Sequence, residues 1–94
     1  MSKYEVRIMP DAEKDISNFC KAGKKSVLKK IDTLLEELKV HPRFGTGKPE
    51  HLKHISDVER WSRRITKKHR LVYDIEEKEI VVLVVSAYGH YKDE

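Results

Sequence analysis

The sequence predicts an α+β domain in which two N-terminal helices pack against a mostly antiparallel sheet of four to five strands. Three observations carry this reading. One short alternating segment opens the chain, two successive stretches with helical periodicity follow it, and everything from residue 50 onward consists of strand-like runs separated by turns. At 94 residues the chain has room for one core, so a single domain over residues 1–94 is expected.

Tyr4, Val6 and Ile8 alternate with polar residues and stop at Pro10, the pattern of a short first strand. Asp11 then suits a helix cap. Ala12, Ile16, Phe19 and Cys20 recur at helical spacing until Ala22-Gly23, and Cys20 reads as core filler on that face. Val27, Leu28, Ile31, Leu34, Leu35 and Leu38 form the clearest buried stripe of the chain and predict a second helix antiparallel to the first. Pro42 ends it, and Arg43 to Pro49 is a loop rich in glycine and proline. Strands are expected near His51 to Ile55, then over Arg60 to Thr66, His69 to Ile75 and Ile80 to Tyr88, with Glu76 to Glu79 as the last turn. Because Ile80 to Val85 is apolar at every position, the last strand is expected to be central and buried on both faces.

The composition removes several function classes. The longest apolar run has six residues, Ile80 to Val85, far short of the roughly 20 needed to span a bilayer. The first residues carry no apolar segment of a secretory signal. With one cysteine, no disulfide can form within the chain, which fits a reducing cytoplasm. The net charge of +4 says little alone, but its distribution is uneven. Lys39 to Arg70 holds ten basic residues against Glu50, Asp57 and Glu59, a local excess of seven. Such a segment suits a polyanion such as RNA, although a solvated charged surface has the same appearance.

Metal and nucleotide chemistry find little support. His51 and His54 would point to opposite faces of a strand, so they cannot chelate one ion together. Gly45-Thr46-Gly47-Lys48 lacks the spacing and the strand-to-helix setting of a phosphate loop. The hairpin around Thr66 to His69 is more informative. With Lys67-Lys68 at a regular tip, Ile65 stands opposite Arg70, so Arg63 and Arg70 share one face while Arg64 points with Leu71 and Tyr73. Arginine's planar fork matches phosphate, and Trp61, Tyr88 and Tyr91 supply aromatic surface of the kind that stacks on bases.

The stretch Gly47-Lys48-Pro49-Glu50-His51-Leu52-Lys53, the run WSRRI at Trp61 to Ile65, the run HRLVY at His69 to Tyr73 and the closing His90-Tyr91 together resemble the YoeB/Txe branch of the RelE toxin superfamily. The resemblance follows the order of elements over nearly the whole chain. Its specificity lies in Gly45 to Tyr73 and the terminal His-Tyr pair. It implies a RelE-like fold and the toxin of a bacterial toxin-antitoxin pair, a ribosome-dependent endoribonuclease that cuts messenger RNA in the A site. No metal or cofactor is implied. The implied partners are a cognate YefM/Phd-like antitoxin, the ribosome with its mRNA, and a second toxin copy in a homodimer, with no membrane involved. The catalytic positions carried over are Glu50, Arg70, His90 and Tyr91, with Lys48, Lys53, Trp61, Arg63 and Arg64 as contacts to RNA and phosphate.

Those residue types suit the chemistry. Cutting RNA through its own 2′-hydroxyl needs a base for that proton, cations around the crowded phosphorane and an acid for the departing 5′-oxygen. Glutamate is ionised and histidine partly protonated near neutrality, which suits Glu50 as base and His90 as acid. Two departures from the family pattern stand out. One extra residue separates Glu50 from Trp61, and Lys92-Asp93-Glu94 extends past the terminal His-Tyr. The competing readings are a toxin-fold protein that blocks its target without catalysis and a plain RNA-binding module that obstructs translation.

Overall fold

The computed structural model describes residues 3–53 and 57–88. The elements run β1 (Glu5–Ile8), α1 (Pro10–Lys21), α2 (Lys25–Leu38), β2 (Glu50–His51), β3 (Glu59–Arg64), β4 (Arg70–Glu76) and β5 (Val81–Ser86). The five strands form one sheet in the order β1-β5-β4-β3-β2, with β1 parallel to β5 and every other pairing antiparallel. The predicted α+β architecture is therefore present, with one parallel edge strand.

Helix α1 starts two residues earlier than Asp11 as a cap would allow. Met9 is the extended capping residue and Pro10 occupies the first turn, where a fixed φ and a missing N–H cost nothing. Asp11 and Glu13 fall in that first turn, against the positive end of the helix dipole. Gly23, at φ +70°, closes the helix as expected. Cys20 does not fill the core: it is exposed, one step round the helix from buried Phe19. Ala12, Phe19, Ile31, Leu34 and Leu38 meet Leu71, Tyr73, Ile75, Val82 and Val84 in the core between the helices and one sheet face.

Among the described residues the opposite sheet face carries no helix, and this corrects the expectation for the last strand. Strand β4, not β5, is the middle strand, and β5 lies between β4 and the edge strand β1. Val82 and Val84 are fully buried on the helix side, whereas Leu83 and Val85 are only half-buried on the open side. Ile80 lies outside the strand, in a turn at φ +56° with its side chain exposed. The second strand is shorter than expected: Glu50 and His51 form it, and His54 to Ser56 lie outside the described residues.

A one-residue difference in the β3–β4 hairpin matters most for function. The ladder pairs Arg64 with Arg70 and Arg63 with Leu71, not Ile65 with Arg70. The turn is not a regular two-residue tip, because the N–H groups of both Ile65 and Thr66 donate to the His69 carbonyl. The Thr66 hydroxyl accepts in return from the N–H groups of Lys68 and His69. The slip exchanges the two arginines. Arg64 now shares a face with Arg70, and Arg63 points into the core with Leu71 and Tyr73.

Candidate functional site

The open face of the sheet brings Glu50 and Arg70 together through a residue between them. Glu50 stands opposite Ser62 across the β2–β3 pairing. The Ser62 hydroxyl, almost wholly buried, accepts a hydrogen bond from Arg70 Nε at 3.0 Å. Arg70 Nη2 reaches Glu50 Oε1 at 3.4 Å. The Glu50 carboxylate is 59% exposed and the Arg70 side chain only 19%, so a pinned guanidinium lies beneath a carboxylate open to solvent. Fixing Nε on serine orients the two terminal nitrogens toward an incoming anion, and the long contact to Glu50 is weak enough to exchange.

Arg64 lies directly opposite Arg70, and two arginines side by side on one face repel unless an anion joins them. Lys48 is exposed and adopts φ +50° just before Glu50. Lys53 is exposed beyond Leu52, whose buried side chain and N–H bond to the Arg60 carbonyl (2.8 Å) tie the end of β2 to β3. On the same face Arg60 grips Asp74 through two nitrogens at 2.6 and 2.9 Å. His90 and Tyr91 lie outside the described residues.

Two residues expected to contact RNA lie on the helix side of the sheet and not beside Glu50 and Arg70. Arg63 is fully buried, so its guanidinium cannot meet a phosphate. Its five N–H donors are all spent within the protein: on the Tyr73 hydroxyl (3.1 Å), Glu37 Oε1 (2.8 Å) and the carbonyls of Thr46 (3.3 Å), Phe44 (2.9 Å) and His41. Trp61 has the same parity as Arg63 and packs against the core, with His51 stacked on its ring at 4.9 Å. Its indole N–H donates to Glu59 at 2.9 Å. It therefore faces away from Glu50 and Arg70.

These inward residues shape the site from behind. Arg63 and Glu37 together hold the loop that ends at Glu50, since Glu37 also accepts from the Thr46 N–H (2.8 Å) and hydroxyl. Burial alone would raise the Glu37 carboxyl, but the hydrogen bonds from Thr46 and Arg63 outweigh it and hold the group below the usual carboxylate range. Gly45 is required here, because a Cβ would come within 2.4 Å of Glu37 Oε1 at a φ of +128°. A second brace runs from Arg43, which bonds Glu59 through two nitrogens at 2.7 and 3.0 Å and Glu77 at 2.9 Å. The Arg43 guanidinium lowers the Glu59 carboxyl, with the Trp61 N–H adding to the effect against a smaller penalty from burial.

Sequence reasoning missed Ser62, Glu37 and Tyr73. Ser62 could have been noticed as the only small residue in the run WSRRI, but its place opposite Glu50 depends on a pairing that no local pattern states. Among the described residues no three of His, Cys, Asp and Glu come together as metal ligands.

Residues 9–91 match the family described as the YoeB-like toxin of bacterial type II toxin-antitoxin systems. The chain belongs to this family. Toxin YoeB of Escherichia coli K12 is 43% identical over 68 residues, which cover 71% of this chain and 76% of that one. A solved YoeB/ParE toxin from Agrobacterium tumefaciens superposes with a TM-score of 0.80 at 31% identity, covering 93% of this chain and 99% of the other. The YoeB dimer from Staphylococcus aureus and the heterotetrameric YoeB-YefM complex from the same organism give TM-scores of 0.77 and 0.74, each at 33% identity and covering 96% of this chain and 100% of theirs. In this YoeB-like chain the open sheet face thus joins an acid and a cation in one place. No helix among its described residues is long and apolar enough to cross a membrane.

Proposed function

We propose that this YoeB-like toxin is a ribosome-dependent endoribonuclease that cuts mRNA in the A site by attack of the 2′-hydroxyl on the adjacent phosphate. The observation that carries the reading is the joining of Glu50 and Arg70 on the open face, with Ser62 pinning the guanidinium. Glu50, exposed and acceptor-only when ionised, takes the 2′-hydroxyl proton as the new P–O bond forms. Arg70, with Arg64, Lys48 and Lys53 around it, stabilises the added charge on the phosphorane oxygens. His90 returns a proton to the departing 5′-oxygen, and Tyr91 orients the scissile phosphate or stacks on a base. The product is a 2′,3′-cyclic phosphate, and no metal or cofactor is needed for the step.

The partners follow from the family. A cognate antitoxin of the YefM type covers the toxin, its acidic residues meeting the Lys39 to Arg70 segment, and a second toxin copy completes a homodimer. The protein works in the cytoplasm, where the exposed thiol of Cys20 stays reduced.

Induction of the wild type and of Glu50→Gln and His90→Gln variants, with mapping of mRNA 5′ ends, tests the proposal. Cuts within codons of translated messages are expected from the wild type and not from either variant. Growth arrest by both variants at wild-type strength would overturn it in favour of a non-catalytic block. Cuts that ignore translation would remove the ribosome from the reading.

A further inference from the structure

A cleft of about 420 Å³ opens between α1 and the strand ends at His69, lined by Asp15, Asn18, Phe19, Lys24, His69 and Tyr88. Its place is set by the sheet. Val72 pairs with Ser86, so Arg70, two residues before Val72, and Tyr88, two residues after Ser86, sit at the same end of neighbouring strands. His69 directly precedes Arg70, so one short segment serves both the candidate site and the cleft.

Three rings converge in the wall. His69 lies 4.8 Å from Tyr88 in a tilted contact and 5.0 Å from Phe19 edge-on, and Phe19 lies 5.9 Å from Tyr88. Phe19 is buried and serves as the floor, while Tyr88 keeps 61% of its surface in water. An exposed ring braced by two others presents a flat face at little entropic cost, because its neighbours already hold its orientation. The polar groups at the rim differ in kind. The exposed Asn18 amide offers a donor and an acceptor together, the pairing that a base edge presents in reverse. Asp15 uses Oδ2 to accept from the Ala87 N–H at 3.0 Å, which fixes the carboxylate at the rim. Lys24 lines the mouth with exposed Lys25 next to it, and exposed Lys67 and Lys68 precede His69.

We infer that this cleft receives a nucleobase of the RNA strand whose phosphate is held at Arg70, with Tyr88 as the stacking face and Asn18 as the group that reads the base edge. The inference rests on the RNA-cutting reading and adds where a base is recognised. A cleft of this size exceeds what one ring fills, leaving room for the sugar, and the lysines match the flanking phosphates. An aromatic wall alone would suit many apolar ligands; an aromatic wall, an amide and a basic rim at the strand end that carries the arginine proposed to hold phosphate suit a nucleotide.

The test uses the full-length toxin and a trinucleotide with 2′-O-methyl riboses, which cannot be cut through the 2′-oxygen, followed by NMR. Addition of the trinucleotide is expected to shift the amides of Asn18, Lys24, His69 and Tyr88 together. An abasic analogue of the same charge should leave them in place. Tyr88→Ala should weaken binding by roughly tenfold or more, the usual loss for one stacked base, while Tyr88→Phe should bind as the wild type. Asn18→Ala should narrow the difference in affinity between trinucleotides of different base. Unshifted cleft amides, equal response to the abasic probe, or a Tyr88→Ala variant that binds as tightly as wild type would each overturn the inference. Because the probe is uncuttable, a protein that binds it in the cleft but leaves mRNA intact would refute the nuclease and spare the cleft. A nuclease indifferent to Tyr88→Ala would do the reverse.

Discussion

Replacing Arg63 by alanine should strongly destabilise the protein, whereas the same change at neighbouring Arg64 should leave stability almost untouched. The magnitude follows from the environment. Arg63 is fully buried and satisfies the Glu37 carboxylate, the Tyr73 hydroxyl and the carbonyls of His41, Phe44 and Thr46. Removing one partner of a buried ion pair costs about 3–5 kcal/mol, because the groups left behind have lost both water and their donor. A chain of 94 residues has about 5–14 kcal/mol in all. The carbonyls belong to the loop over residues 41–46, which can open to water and keep the cost near the lower bound. Arg64 is exposed, and surface changes of that kind stay within about 0.5 kcal/mol. With a urea slope of about 1–1.5 kcal/mol per molar, the Arg63→Ala midpoint should fall by about 2 M or more and the Arg64→Ala midpoint by less than about 0.5 M. Arg63→Lys should lie between, since an ammonium has three donors and no planar fork. Equal midpoint shifts for the two alanine variants, or a shift below about 1 M for Arg63→Ala, would refute the hairpin register and with it the assignment of the arginines to faces.

Ser62→Ala removes the acceptor that holds Arg70 Nε while leaving a side chain that fits the buried site. Single-turnover cleavage should slow about tenfold at unchanged thermal stability, Ser62→Thr should recover most of the rate, and an unaltered Ser62→Ala rate would show that Arg70 orients itself. Acid should reveal the brace behind Trp61. Arg43 holds Glu59 below its ordinary value, so the unfolded chain takes up this proton more readily than the folded one. The contribution to stability is therefore full above the unfolded value of about 4.3 and disappears as pH falls through the lowered folded value. Fluorescence of the single tryptophan should report denaturation whose acid sensitivity below about pH 5 is reduced in Glu59→Gln; parallel curves for variant and wild type would exclude Glu59 as the sensor.

The elements of the fold were legible where periodicity is strong. The stripe from Val27 to Leu38 needs no partner to announce itself, because 3.6-residue spacing over three turns has one physical solution. Pairing is different, since it depends on atoms far apart in sequence. The run Ile80 to Val85 looks equally apolar throughout, yet the uncovered sheet face leaves Leu83 and Val85 half-buried, and Ile80 belongs to the preceding turn, its N–H bonded to the Glu77 carbonyl. No local pattern states that the described helices both lie on one face.

The arginine pair shows the same limit at the site itself. Arg63 and Arg64 are chemically identical and adjacent, so their roles depend wholly on parity, and parity depends on how many residues the turn holds. Thr66 settles that number by accepting the N–H groups of Lys68 and His69 on its hydroxyl, which adds a residue to one side of a turn that otherwise reads as a two-residue tip. One hydroxyl thus decides which arginine stands beside Arg70 on the surface and which braces the loop leading to Glu50. Glu50 and Arg70 are paired by the family resemblance and not by the expected register, which would put Arg70 on the face of Arg63 and away from Ser62. In the observed ladder Glu50 reaches the face of Arg70 through Ser62, whose parity opposite to Arg63 carries it outward as the arginine turns in. The register that buries Arg63 is therefore the same register that assembles the candidate site, and a change that restored Arg63 to the surface would separate Glu50 from Arg70.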